Sequence, residues 1–75
     1  MFDKNIFAER LYALRKSKNV SQLQLAEHVG ISFHQISKME KVQRAASIEV
    51  LCALADYFDV SLDYLVGRSD IKERR

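Results

Sequence analysis

The sequence has no proline and only two glycines among its 75 residues, which argues against a small β fold. Sheets of this size need several tight turns, and tight turns draw on glycine and proline. We therefore expect an all-α fold. A chain of this length has room for one hydrophobic core, so a single folded domain is predicted.

Cysteine and long apolar runs are equally scarce. The one cysteine, Cys52, has no partner for an internal disulfide, and His28 and His34 lack metal-ligand spacing. We expect Cys52 to be a core or half-buried residue, and no metal or other cofactor to be needed. The longest apolar run, residues 50–55, is far shorter than the roughly 18 residues that cross a bilayer. No transmembrane segment is predicted.

The first residues give no sign of a targeting segment. Asp3 places an acid near the N-terminus, and no apolar stretch follows it, so the segment does not have the pattern of a secretory signal. We expect a cytoplasmic protein.

The formal net charge of +2 is unevenly distributed along the chain. Residues 1–46 carry eight Lys or Arg against four Asp or Glu, whereas residues 47–67 carry four acids and no base. A positive half joined to a negative half indicates a polyanionic partner on one side of the molecule, with chance as the alternative explanation.

Apolar residues at helical spacing and nearby capping residues predict five helices. Asp3 or Asn5 is suited to cap the first helix, Ser47 the fourth and Ser61 the fifth. Gly67 stands where a terminating glycine is common. The predicted helices cover about residues 5–18, 22–29, 33–40, 48–59 and 62–66.

Two short helices separated by a tight turn are the central feature of the sequence. Ser21 and Ser32 each precede a glutamine by three residues, which is the spacing of a capping box. Gly30 ends the first of these helices and permits a positive φ. Ala26 is small where the two helices must cross, and Ile36 fills the angle between them. The pattern predicts a helix-turn-helix, in which a bulky residue at 26 or a β-branched one at 30 would force the helices apart.

A set of residues at characteristic spacing runs through all five predicted helices. It comprises Arg10, Leu11, Leu14 and Arg15, then Val20, Ser21, Gln22, Leu25 and Ala26, then Val29 through Ser32, Ile36 through Glu40, Leu51, Leu54, Ala55 and Val60 through Gly67. The order and spacing of these residues resemble the Cro/cI-type (XRE) helix-turn-helix family of bacterial and phage repressors, over roughly residues 6 to 67. The resemblance implies a compact, lambda-repressor-like five-helix bundle for residues 1–67. The charged segment 68–75 is expected to be a frayed tail.

The loop after the third predicted helix departs from the family pattern. Val42 stands where the family commonly has glycine, and Ala46 stands where it has proline. A β-branched residue tolerates a positive φ poorly, so we expect the loop 41–46 to take another course, with the third helix extended by one residue.

By resemblance, the third helix enters the major groove of DNA and its exposed residues read bases. Lys38 would donate to guanine, His34 would meet a purine edge, and Phe33 would pack on a thymine methyl, with Ser37 at the margin. Two alternatives remain open at this point. Phe33 could tuck back onto the core, and His34 and Lys38 could belong to an ordinary solvated helix face.

The resemblance also implies phosphate contacts around the same helix. Gln22 opens the second helix, where an amide and a helix N-terminus suit an anion. Ser32 is similarly placed, although capping alone would explain it. Gln35, Lys41 and Arg44 complete the phosphate candidates.

In the resembling family, the positions of Arg15 and Glu40 form an ion pair that joins the first helix to the third. Glu40 lies near Ile36 on a helical wheel and so points partly inward. The pair would orient the reading helix.

These observations predict a sequence-specific double-stranded DNA-binding repressor that binds a two-fold operator as a homodimer. The alternative is a protein-interaction module with a toxin or an anti-repressor as partner. No nucleophile and base can be paired, and so short a chain has little room for a substrate pocket, so enzymatic activity is not expected. The last two helices are expected to offer more apolar surface than the small core requires, and part of it is expected to form the dimer seam. The residues concerned are Tyr57, Phe58, Leu62, Tyr64, Leu65 and Val66.

Overall fold

The computed structural model describes residues 3–73, and Met1, Phe2, Arg74 and Arg75, the last two from the predicted tail, lie outside the described residues. The described chain forms five α-helices and no strand, which confirms the predicted all-α, repressor-like fold with a helix-turn-helix between the second and third helices. The helices are α1 (Lys4–Ser17), α2 (Gln22–Val29), α3 (Phe33–Glu40), α4 (Ile48–Phe58) and α5 (Leu62–Leu65).

Each helix is preceded by a capping residue whose side-chain oxygen accepts from backbone N–H groups of the first turn. Asp3 caps α1 by accepting from the N–H groups of Asn5 and Ile6. Serines cap the other four helices, and in α2 and α3 the serine forms a reciprocal capping box with a glutamine. Side-chain caps of this kind satisfy donors that have no partner within the helix, so they fix where the helix begins.

The core lies where the five helices converge. α3 packs mainly on α1 and α2, whereas α5 packs on α1 and α4, so α3 and α5 occupy different sides of the bundle. Between residues 3 and 73, no helix is both long and apolar enough to cross a membrane. Every helix contributes to the set of large, fully buried side chains, which comprises Phe7, Leu11, Leu25, Ile36, Met39, Leu54 and Leu65.

Two expectations for the C-terminal helices are wrong. Phe58, Leu65 and Val66 do not supply surplus apolar surface, because α5 folds back onto α1 and α4 and these side chains are buried in the core. Cys52 is exposed instead of buried, because the buried face of α4 consists of Leu51, Leu54, Ala55 and Phe58. The other three residues assigned to the dimer seam are half-buried, namely Tyr57, Leu62 and Tyr64.

The segment after α5, expected to be frayed, is hydrogen-bonded to the domain over residues 68–72. The N–H of Ser61 donates to the carbonyl of Lys72 at 2.7 Å. The guanidinium of Arg10 donates to the carbonyl of Ser69 at 2.6 Å. Charged composition indicated a solvated tail, but these bonds use backbone carbonyls, which composition does not reveal.

Candidate nucleic-acid interface

Residues 30–32 form the turn that joins α2 to α3. Gly30 has a left-handed conformation with φ +77°, and its N–H donates to the carbonyl of Ala26 at 2.9 Å. A Cβ at Gly30 would meet no atom within 4 Å, so the left-handed backbone conformation is the demand that the structure shows at this position. Ala26 and Ile36 are both buried at the crossing of the two helices, as the motif requires.

The outer face of α3 projects into solvent from a firmly packed helix. Ile36 is fully buried, while Phe33 is 42% exposed and so does not tuck back onto the core. The rings of Phe33 and His34 lie against each other, with centroids 4.3 Å apart and planes at 31°. His34 and Lys38 are exposed, and Ser37 is half-buried at the margin of the same face. The structure therefore brings the four base-reading candidates together on one helix.

Ser32 and Gln35 are engaged in capping α3. The Oγ of Ser32 accepts from the N–H of Gln35 at 3.3 Å, and the Oε1 of Gln35 accepts from the N–H of Ser32 at 3.1 Å. The amide nitrogen of Gln35 makes none of these bonds. Capping therefore accounts for the hydroxyl of Ser32 and for the amide oxygen of Gln35, and leaves an amide donor beside the first turn of α3.

Arg15 and Glu40 form a bidentate ion pair that joins α1 to α3. The Nε of Arg15 donates to Oε2 of Glu40 at 2.7 Å, and Nη2 donates to Oε1 at 3.0 Å. Only 10% and 7% of the two side chains are exposed. The hydrogen bond to Glu40, reinforced by its charge, raises the pKa of Arg15 against the opposing effect of burial. The carboxylate thus holds a permanent cation at the C-terminal end of α3.

The same ion pair reaches the beginning of α2. The Nη1 of Arg15 donates to the carbonyl of Val20 at 3.0 Å, just before the cap of α2. The Nε2 of Gln22, the first residue of α2, donates to Oε1 of Glu40 at 3.1 Å. Gln22, a phosphate candidate from the sequence, is therefore already tied to the carboxylate of Glu40. The two residues are 18 positions apart, and no local pattern signals this bond.

The loop after α3 differs from the expectation. α3 ends at Glu40 without an extra residue, and Val42 takes the left-handed conformation with φ +64° that a glycine would favour. The N–H of Gln43 donates to the carbonyl of Lys38 at 2.8 Å, which closes the helix end as a Schellman motif does. The hydrogen bonds that close α3 hold a β-branched residue in a strained backbone region, so Val42 adopts the conformation that a glycine would favour.

Besides Lys38 and the paired Arg15, the loop after α3 and the end of α1 each carry two cations. Lys41 and Arg44, the phosphate candidates of the loop, are exposed. Lys16 and Lys18 at the end of α1 are exposed too, but each ammonium lies within 6 Å of a tyrosine ring centroid. The guanidinium of Arg15 lies at a similar distance from the ring of Tyr12. Cation–π contacts occupy these α1 cations, whereas the loop cations make no such contact among the interactions described for residues 3–73.

Comparison with known proteins gives a consistent result. A family model described as helix-turn-helix matches residues 11–65. The transcriptional repressor RstR of the cryptic phage CTXphi of Vibrio cholerae is 38% identical over 60 residues, which cover 80% of this chain and 54% of that protein. The control protein C.SmaI of Serratia marcescens is 32% identical over 72 residues, covering 96% of this chain and 86% of that protein.

A solved structure resembles the fold closely. The P22 c2 repressor protein in complex with synthetic operator 9T superposes with a TM-score of 0.81 and 33% identity, covering 85% of this chain and 97% of that chain. The chain spans a little more than half the length of several curated relatives that it matches. The helix-turn-helix geometry, the family match and these relatives together show that the chain belongs to the Cro/cI-type helix-turn-helix family.

Proposed function

We propose that this chain is a sequence-specific double-stranded DNA-binding regulator of transcription, acting as a repressor in the cytoplasm, with α3 in the major groove. The observation that carries the proposal is the outer face of α3, where Phe33, His34 and Lys38 project from a helix anchored by Ile36. Eight residues of α-helix are about 12 Å long, and the major groove is about 12 Å wide.

Each exposed side chain of α3 suits a different group on a base edge. The ammonium of Lys38 donates to O6 and N7 of guanine, and the imidazole of His34 donates or accepts at a purine edge. The ring of Phe33 offers apolar surface to the methyl group of thymine. Ser37 at the margin adds a short hydroxyl contact.

Phosphate contacts would surround this face. Lys41 and Arg44 are the exposed cations of the loop that follows α3. Gln22, Ser32 and Gln35 stand in the first turns of α2 and α3, where backbone N–H groups and the helix dipole favour an anion. Such contacts set register on the duplex, while the side chains of α3 supply sequence preference.

A single domain of this size makes few base contacts, so we propose that two copies bind a two-fold operator. Half-sites separated by one turn of DNA, about 34 Å, would let both copies of α3 enter the major groove on the same face of the duplex. The half-buried Tyr57, Leu62 and Tyr64 on the last two helices, together with Ile48, which is 63% exposed, supply apolar surface for the contact between copies.

Selection of bound sites from a pool of random duplexes tests the proposal. We expect an enriched, two-fold symmetric sequence with half-sites about 34 Å apart. Binding to it should weaken with salt, with a log–log slope of about −0.9 for each phosphate neutralised. Recovery of no common sequence, or of binding that is equal on all duplexes, would contradict sequence-specific recognition. A Phe33→Ala, Lys38→Ala double variant is the matched control, since both side chains are exposed.

A further inference from the structure

We infer that Glu40 is a positioning residue for Gln22, whose amide it holds ready to donate to a DNA phosphate; this inference rests on the proposed DNA-binding function. The Nε2 of Gln22 donates to Oε1 of Glu40 at 3.1 Å in the protein alone. An amide nitrogen carries two hydrogens, so one donor remains for an anion. The role assigned to Glu40 is to orient that second N–H.

A carboxylate close to a phosphate contact would ordinarily repel the DNA. Here both oxygens of Glu40 accept from Arg15, at 2.7 and 3.0 Å, and only 7% of the Glu40 side chain is exposed. The guanidinium therefore cancels the charge while leaving lone pairs on Oε1 for Gln22. The carboxylate acts as a hydrogen-bond acceptor of fixed position and little net field.

The acceptor itself cannot move easily. Arg15 is fixed by its third hydrogen bond, from Nη1 to the carbonyl of Val20 at 3.0 Å, directly before the cap of α2. The ends of α1 and α3 and the beginning of α2 thus meet at one guanidinium and one carboxylate. An unrestrained glutamine has several rotatable bonds to order on binding, whereas one tied to Glu40 has lost that freedom before DNA arrives.

Relaxation of side-chain amide ¹⁵N nuclei in the free protein tests the first half of the inference. The exposed Gln43 is the internal control, since none of the described side-chain hydrogen bonds involves it. We expect the Gln22 amide to be nearly as rigid as the backbone and the Gln43 amide to be mobile. Equal mobility of the two amides would overturn the inference without reference to DNA.

Coupling between Gln22 and Glu40 in operator binding tests the second half. The paired change Arg15→Met with Glu40→Met removes both charges and keeps apolar volume, an exchange that buried ion pairs often tolerate. We expect Gln22→Met alone to weaken operator binding about three- to tenfold, and the paired change to weaken it by a similar factor. The triple variant, which combines all three substitutions, should bind only a little more weakly than either. Multiplied losses in the triple variant would show that Gln22 acts without Glu40, and no loss in Gln22→Met would show that it holds no phosphate.

A methylphosphonate placed at single positions of the selected operator locates the contact, because it removes the charge and an acceptor of one phosphate. At one position, the methylphosphonate should weaken binding of the wild-type protein, whereas it should not weaken binding of the Gln22→Met variant any further. If the wild-type protein binds no duplex, the proposed function falls and this role falls with it. If the wild-type protein binds and no phosphate shows this dependence, the role of Gln22 and Glu40 alone is overturned.

Discussion

The guanidinium of Arg10 lies over the ring of Tyr64, 4.0 Å from its centroid, and donates to the carbonyl of the same residue at 2.5 Å. It also donates to the carbonyl of Ser69 and forms an ion pair with Asp70. The Asp70 side chain is 98% exposed, so the ion pair contributes little. The bond to the Ser69 carbonyl holds the segment 68–72 against α1, while the contacts with Tyr64 join α1 to α5.

Replacing Arg10 should loosen this C-terminal segment. We expect Arg10→Ala to lower the free energy of unfolding by about 2 kcal/mol in urea titrations, since two charged hydrogen bonds and a cation–π contact are lost. The amide of Ser61, which donates to Lys72, should exchange its hydrogen faster. Asp70→Asn should change stability very little. Unchanged exchange at Ser61 in Arg10→Ala would show that the segment is held by other contacts.

Removing one member of the Arg15–Glu40 pair should be strongly destabilising. Arg15→Ala leaves a buried carboxylate without its partner, so we expect the free energy of unfolding to fall by about 3–5 kcal/mol. The paired change Arg15→Met with Glu40→Met should restore most of it. A small loss in Arg15→Ala, measured by urea denaturation at pH 7, would mean that solvent compensates Glu40 freely.

The contribution of Arg15 should not depend on pH near neutrality. Glu40 raises the pKa of Arg15, so the stabilisation from the guanidinium is fully present below the ordinary pKa of arginine. It is lost only as the pH rises through the raised value. The difference in stability between the wild type and Arg15→Ala should therefore be equal at pH 7 and pH 9. A difference that shrinks by pH 9 would contradict this.

Lys38 should affect binding and leave folding intact. Its side chain is exposed on α3, so Lys38→Ala should leave the Tm unchanged and weaken binding to the selected operator about tenfold, through loss of a base contact. Lys16→Ala, an exposed change at the end of α1, is the control. An equal loss on random duplexes would show that Lys38 contacts phosphate only.

Val42 offers a stabilising substitution. Its φ of +64° is costly for a β-branched residue and natural for glycine, so Val42→Gly should raise the free energy of unfolding by about 1 kcal/mol. Gln43→Gly, at a neighbouring position without a positive φ, should lower it by about 0.5–1 kcal/mol. Thermal unfolding of both variants checks the sign, and a destabilised Val42→Gly would show that the valine side chain contributes more than the strain costs.

The two glycines should respond differently to alanine. Both have positive φ, so either substitution strains the backbone by about 1–2 kcal/mol. A Cβ at Gly67 would also meet Cγ2 of Ile6 at 3.0 Å, whereas a Cβ at Gly30 would meet no atom within 4 Å. We expect Gly67→Ala to lower the free energy of unfolding more than Gly30→Ala does. In a chain that carries Ile6→Ala, the two glycine substitutions should cost the same. Equal losses in the chain that keeps Ile6 would mean that Ile6 moves aside freely.

Much of the fold follows from short-range signals in the sequence. Ser21 and Ser32 predict where α2 and α3 begin, because a capping box involves residues only three positions apart. Helical spacing places His34 and Lys38 on the side of α3 opposite Ile36, which predicts a buried Ile36 and two exposed polar residues. The structure places all three accordingly.

The interactions that sequence did not indicate depend on distant or competing contacts. Arg10 meets residues 54 to 60 positions away, and no local pattern marks such a partner. Val42 was expected to avoid a positive φ, but the hydrogen bonds that close α3 outweigh its intrinsic preference. The bond between Gln22 and Glu40 likewise arises only once three helices have packed together.

The acids of residues 47–67 and the cations of the loop after α3 belong to different structural elements. The four acids of residues 47–67, which are Glu49, Asp56, Asp59 and Asp63, all lie on exposed positions of α4, α5 and their junction, whereas the loop after α3 carries Lys41 and Arg44. If α3 meets DNA as proposed, the phosphates would attract the cations of this loop and repel the acids of α4 and α5, so added salt would slow association by screening both effects.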